Sequence, residues 1–255
     1  MNIFVFPDPE KLGEAAANEA ALMIRSAIDR RGKARIILAT GASQFTTLAA
    51  LTRQDIPWAL VEMFHLDEYV GLPMTHRASF RKYLIERFIH VANPGKVHLV
   101  DGTPENMAAL TQAVRSEPID LGIIGIGENA HIAFNDPPAD FDTQEAFIYV
   151  YLDDRCKAQQ VGEKWFDSME EVPDRAVTMT AFQILQCERI VSSVPFAVKA
   201  DAVRDTLQNP VNNRIPATIL KTHPHFSLYL DAESFAKVEP DKIVSVEGKH
   251  TLTIV

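Results

Sequence analysis

Cysteine is nearly missing from this chain: its 255 residues include Cys156 and Cys187 and no others. The two make no CxxC pair and no Cys/His zinc spacing, so neither a disulfide-stapled fold nor a structural zinc is indicated. Both read as buried or half-buried free thiols. Positive charge is also in short supply. Lys and Arg number 25 against 34 Asp and Glu, a net charge of −9, and no basic cluster stands out. That balance argues against a nucleic-acid partner. No apolar run approaches the roughly 18 residues of a membrane span. Met1-Asn2-Ile3-Phe4-Val5-Phe6-Pro7-Asp8 lacks the basic start and apolar stretch of a signal peptide, so a cytoplasmic protein with no membrane partner is expected. With 11 Gly and 15 Pro, collagen-like and low-complexity classes are excluded.

What is present is an ordinary globular composition, 47% hydrophobic and 23% charged. Apolar runs alternate with helical patterns. Buried strands are predicted at Ile3–Phe6, Ile36–Ala39, Val61–Leu66, Val97–Val100, Leu121–Ile126, Phe147–Leu152, Val177–Met179, Ile190–Val194 and Phe226–Leu230. Helices are predicted from the Asp8-Pro9-Glu10 start to Gly32, over Phe45–Leu51, near Phe80–Phe88 and Pro104–Arg115, and over Phe196–Leu207. This alternation implies an α/β fold, a mainly parallel sheet with helices on both faces. No repeat, linker or composition break is visible, so residues 1–255 are expected to form a single domain. In such sheets ligands sit at the carboxyl ends of the strands.

Four strand ends carry chemistry. Ala39-Thr40-Gly41-Ala42-Ser43 is a small-residue turn whose N–H groups could face an anion; the plain alternative is a tight turn with Ser43 as helix cap. His65-Leu66-Asp67-Glu68-Tyr69 runs a strand into two carboxylates. These read either as solvated loop acids or as a base whose pKa is raised by burial. Gly125 to Ala130 matches a relaxed dinucleotide fingerprint, but Asn135-Asp136-Pro137-Pro138 breaks any helix that should follow. What remains is a glycine-lined strand end delivering His131 and, five residues on, Asp136, a pairing suited to proton transfer. Lys199 follows the fourth strand end, as a phosphate-pairing cation or an ordinary surface lysine. His223-Pro224-His225 forms a poor chelate without a third ligand, and no metal is expected.

Together these segments resemble the glucosamine-6-phosphate deaminase (isomerase) family, within the wider group that includes 6-phosphogluconolactonase. The resemblance runs from Leu38 to about Asp231. It is strongest at Leu66-Asp67-Glu68-Tyr69-Val70-Gly71-Leu72 and from Gly125-Ile126-Gly127 through His131-Ile132-Ala133-Phe134-Asn135-Asp136-Pro137. Val172-Pro173-Asp174-Arg175-Ala176-Val177-Thr178 and Leu220-Lys221-Thr222-His223-Pro224 echo later segments. The lactonase branch has Asp-Glu-Arg after the strand and His-Thr-Ala-Ser-Leu-Phe-Pro in the histidine loop, and neither occurs here.

The resemblance implies a Rossmann-like fold and an enzyme that turns glucosamine 6-phosphate, or a close hexosamine phosphate, into fructose 6-phosphate and ammonia through an enediol. It implies Asp67 as the base between C2 and C1, His131 as the ring-opening group, and Asp136 and Asn129 as its supports. Thr40, Gly41, Ala42, Ser43 and Lys199 would hold the 6-phosphate, with Glu68 and Gly127 in the same substrate site. No cofactor is implied. The chain departs from the family pattern at three places. Asn129 stands where the family has an Asp on the histidine, which moves or weakens that relay toward Glu128 or Asp136. Asp136 replaces a Glu, and Gln160 replaces a phosphate-binding Arg. The stretch Ala139–Glu145 lacks the basic residues that bind an allosteric activator, so no activation by N-acetylglucosamine 6-phosphate is expected. Rival readings are a lactonase, a non-catalytic sugar-phosphate sensor on the same fold, and a dinucleotide-dependent oxidoreductase. Family members are monomers, dimers or hexamers, and a homo-oligomer is compatible with the sequence.

Overall fold

At the start of the chain, local signals set the first element. Asp8 accepts a hydrogen bond from the Lys11 amide (2.7 Å) and Pro9 occupies the first turn, so α1 (Pro9–Arg31) begins at a side-chain cap and a preset φ. Gly32 closes it at φ +76°, its N–H bonded to the Ile28 carbonyl. On either side lie β1 (Asn2–Phe6) and β2 (Ala34–Leu38). The computed structural model describes residues 1–255, Glu247 excepted. There follow α2 (Phe45–Leu51), β3 (Val61–His65), β4 (Asp67–Tyr69) and α3 (Phe80–Leu84), which runs through a π-turn at Ile85–Ile89 into α4 (His90–Ala92). Next come β5 (Lys96–His98), α5 (Pro104–Arg115), β6 (Ile119–Ile124), β7 (Phe147–Tyr151), α6 (Asp154–Gly162) and β8 (Arg175–Met179). The chain finishes with α7 (Ala181–Ile184), β9 (Cys187–Val194), α8 (Ala200–Gln208), β10 (Phe226–Asp231), α9 (Ala232–Phe235) and β11 (Thr251–Ile254).

Eight strands form one sheet, ordered β11-β1-β10-β9-β6-β2-β3-β5, in which every pairing is parallel. Every residue of β2 and β6 is buried, as central parallel strands require when helices cover both faces. Alternate side chains feed two cores. Ile36, Leu38, Leu121 and Ile123 pack with Ala20 and Ile24 of α1, whereas Ile37, Phe64 and Ile124 pack with Leu110 of α5 and Val203 of α8. The chain is a Rossmann-like α/β protein.

Two of the expected strands leave that sheet. Phe147–Leu152 and Val177–Met179, read from sequence as members of the parallel sheet, correspond to β7 and β8. These pair antiparallel with each other, and β8 pairs with β4, in a separate three-stranded sheet. The physical reason is visible in β7, where Ile148, Tyr149 and Val150 are only half-buried and Tyr151 is exposed, an open face that a central parallel strand does not have. Tyr69, Phe134, Cys156, Phe166 and Ala176 form a third core with this small sheet.

The strand order also places the crevice. From β2 the chain moves outward to β3 and β5, then returns through α5 to β6 on the other side of β2. The connections diverge between β2 and β6, which opens a cleft at their carboxyl ends.

Candidate active site

The four strand ends converge on that cleft. One cavity is lined by Ala39, Thr40, Gly41, Ala42 and Ser43 after β2, Asp67 after β3, Gly125, Gly127 and His131 after β6, and Lys199 after β9. Its mouth included, it holds about 610 Å³, room for a small polar ligand.

After β2 the chain turns through Gly41 at φ +100°, a conformation that favours glycine. A 3₁₀ turn, Ala42–Gln44, then leads into α2, and Ser43 caps neither element, so its hydroxyl is not spent on the cap that the plain reading gave it. Gln44 is fully buried. Its Nε2 donates to the carbonyls of Ser193 (3.1 Å) and Ile124 (3.4 Å), which ties the ends of β2, β6 and β9 together. Tyr83 donates its hydroxyl hydrogen to the Gly41 carbonyl (2.9 Å) and holds the turn from α3.

Asp67 and Glu68 part company. Asp67 faces the cavity and is 5% exposed. Burial first, then the charges of Glu68 and Asp136, push its pKa well above the usual carboxylate value. Glu68, expected from sequence to bind substrate, does not line the cavity. Its carboxylate accepts from the Tyr69 amide (3.0 Å), the Ser79 hydroxyl (2.8 Å), and the amide and guanidinium of Arg81 (3.0 and 3.2 Å). Neighbours on a strand point to opposite faces, so only one of the two carboxylates can reach the cleft.

Past β6 no helix forms before residue 154, which removes the dinucleotide reading. His131 lies over Gly127, where a Cβ would stand 2.2 Å from its Nε2. The loop is held by the Gly127 amide on the His131 carbonyl (2.9 Å), and Ala130 and Ala133 both adopt positive φ, 64° and 50°. Such backbone strain concentrates where surroundings over-determine a site. His131 Nδ1 lies 3.0 Å from Asp136 Oδ1. Asn129 Nδ2 donates to the same oxygen (3.0 Å), and Asn129 Oδ1 accepts from the His131 amide (3.1 Å). Asn129 and Asp136 therefore stand behind the histidine and outside the cavity wall, and the carboxylate behind the ring is Asp136. Glu128 instead lines a neighbouring surface cleft. Burial would raise the Asp136 pKa, but His131, Asn129 and Cys156 hold it below the usual carboxylate value.

Lys199 is 5% exposed, which removes the surface-lysine reading. Phe196, at φ +84°, turns the chain after β9, and the 3₁₀ turn Ala197–Lys199 precedes α8. Burial lowers the Lys199 pKa; the carboxylates of Glu163 and Glu128 oppose that.

A fifth contributor is a segment of which the sequence reading names Gln160 alone, as the replacement of a phosphate-binding Arg. Gln159 and Gln160 of α6, with Glu163 and Trp165 just after it, line the cavity too. Glu163 accepts from Gln159 Nε2 (2.8 Å) and Trp165 Nε1 (3.0 Å). Gln160 is 5% exposed and its Oε1 has no partner in the protein. The local signal for the helix itself was Asp153, whose carboxylate caps α6 through the Cys156 amide (2.6 Å). As to metals, His131, Asp136 and Cys156 offer donor atoms within 4.8 Å of one another, but burial first, then Asp136, keeps the Cys156 thiol protonated, a hydrogen-bond donor before it is a ligand. His223 is occupied elsewhere, its Nε2 2.8 Å from the Cys187 carbonyl.

The profile of the glucosamine-6-phosphate isomerase/6-phosphogluconolactonase family matches residues 7–228. The chain belongs to this family. A glucosamine-6-phosphate deaminase of Staphylococcus epidermidis is 34% identical over 220 residues, 81% of this chain and 88% of that one. One from Oenococcus oeni is 30% identical over 224 residues, 86% of this chain and 93% of its own. Among solved structures, a monomeric glucosamine-6-phosphate deaminase superposes with TM-score 0.85 at 26% identity, covering 93% of this chain and 100% of that one. The Trypanosoma brucei 6-phosphogluconolactonase shares the family fold at TM-score 0.73 and 17% identity, over 93% of this chain and 98% of its own.

Proposed function

We propose that this single-domain, cytoplasmic chain is a glucosamine-6-phosphate deaminase, acting on glucosamine 6-phosphate or a close hexosamine phosphate. The observation that carries the reading is that Asp67 and the Asp136-backed His131 open onto one cavity, which Lys199 and the Ala39–Ser43 turn also line. Identity to deaminases at 30% and above supports it.

In this mechanism His131 moves the proton of the sugar's O1 hydroxyl to the ring oxygen and opens the pyranose to the aldehyde. Asp136 keeps the imidazole in one orientation and offsets the positive charge it gains. Asp67 takes the proton from C2, forming the enol shared by C1 and C2, and returns it to C1. The amino group is left as a C2 imine. Water adds to C2 and ammonia departs, giving fructose 6-phosphate. A buried carboxylate with a raised pKa suits the base, because basicity then approaches that of the operating medium. Lys199 and the N–H groups and hydroxyls of Thr40 to Ser43 would hold the phosphate away from the reacting carbons. The proton transfers and the hydrolysis require no redox cofactor.

Purified protein should release equimolar ammonia and fructose 6-phosphate from glucosamine 6-phosphate. Asp67→Asn should lower kcat by at least about 100-fold, the usual weight of a positioned base. Folded protein that is inert on hexosamine phosphates but liberates acid from 6-phosphogluconolactone would replace this reading with the lactonase one.

A further inference from the structure

Cys156 reads from sequence as a plain core thiol, yet it stands directly behind the candidate site. It lies in the first turn of α6, 1% exposed, and its Sγ is within 4.8 Å of donor atoms of both His131 and Asp136. The Asp136 side chain is 9% exposed and its two oxygens are unequally served. Oδ1 takes the Asn129 amide and faces His131 Nδ1, whereas Oδ2 is buried with no hydrogen-bond partner. A carboxylate oxygen buried without a donor is costly, and here the Cys156 thiol lies within 4.8 Å of that carboxylate group. Because burial and the neighbouring carboxylate keep the thiol protonated, it can donate and not merely fill space.

We propose that Cys156 is a positioning residue of this site: its S–H turns onto Asp136 Oδ2, completes the partners of that carboxylate, and so fixes the group that orients His131. Asn129, from the loop after β6, and Cys156, from α6, then both donate to Asp136, with His131 Nδ1 standing 3.0 Å from its Oδ1. The carboxylate is thereby held both in place and in its ionised form. The shorter reach of Asp at this position makes the third donor matter, since a carboxylate held on one oxygen can rotate away from the ring. The catalytic consequence rests on the deaminase reading; the hydrogen bond itself does not.

The test compares Cys156→Ala, which removes the donor, with Cys156→Ser, which keeps one. Cys156→Ala should lower kcat about fivefold, the weight of one hydrogen bond from a weak S–H donor, with KM unchanged, and Cys156→Ser should recover most of it. In parallel, the ¹³C signal of the Asp136 carboxyl is followed against pH by NMR without substrate. Loss of the donor should move its midpoint upward in Cys156→Ala and leave it near the wild-type position in Cys156→Ser. If the wild type releases no ammonia, the deaminase reading fails, yet the Asp136 titration still decides the hydrogen bond. An Asp136 midpoint unmoved in Cys156→Ala, or Ala and Ser variants equally impaired, would overturn the proposal and return Cys156 to a packing role.

Discussion

A Cβ on Gly127 would fall 2.2 Å from His131 Nε2, inside the ring's own volume. The glycine is required here for space, so the histidine can lie flat against the strand end. Gly127→Ala should therefore displace the imidazole by an ångström or so and lower kcat about 100-fold, while circular dichroism stays that of the parent. Wild-type turnover in that variant would show that the ring position is not needed. The same scale explains which sequence readings held. His131 and Asp136 were legible as a pair because both lie in one short loop after one strand. Glu68 was not separable from Asp67, since period-two geometry says that one of two neighbours faces the cleft but not which. Only the contacts from Ser79 and Arg81, brought round by the following loop, assign Glu68 to structure.

Elements are held in register by a charged cluster across one end of the large sheet. Glu62 on β3 meets Arg35 of β2 (2.7 Å), and Lys96 and His98 of β5 (2.9 and 2.7 Å). Burial alone would raise the Glu62 pKa; the hydrogen bonds from Lys96, His98 and Arg35 outweigh it and bring the value down to about 2. A carboxylate whose folded pKa is depressed contributes stability that is full above its unfolded value and lost as pH falls through the folded one. Glu62→Gln should thus cost about 2 kcal/mol at pH 7, between the exposed and fully buried cases, and the gap to wild type should close as pH falls from 4.5 toward 2. Urea denaturation at several pH values measures this, and a gap independent of pH would exclude the charge as its cause. Elements with strong local signals were foreseen: α2 and α5 have the expected bounds. By contrast α6 was missed, because it carries no apolar stripe: only Cys156 and Gln160 of its residues are buried, and Gln160 is polar. It nonetheless supplies the cavity wall opposite in chemistry to the glycine-rich turns.

At the scale of the whole molecule, the site exists because β2 and β6, distant in sequence and paired at Ile36 with Leu121 and at Leu38 with Ile123, become neighbours whose loops diverge. The loop at 139–145 bears on regulation: Asp140 accepts from the amides of Asp142 and Thr143 (both 2.9 Å), and the segment carries no Lys or Arg. With no cationic side chain of its own to hold a second sugar phosphate, and Arg115 engaged on the Gln144 carbonyl, the loop leaves initial rates to follow a hyperbola with or without N-acetylglucosamine 6-phosphate. A sigmoidal curve made hyperbolic by that compound would contradict this. The sequence by itself determined the fold class, through buried runs spaced by helices, and pointed to Asp67, His131 and Lys199 as candidates, because each lies in the chain segment that follows a predicted strand. Tertiary structure alone decided that β4, β7 and β8 form a second sheet, that Glu68 turns away from the cleft, and that α6 brings Cys156 up behind His131 and Asp136. Local patterns report which residues must be buried; which buried groups meet is set by packing between segments distant along the chain, and no local period records it.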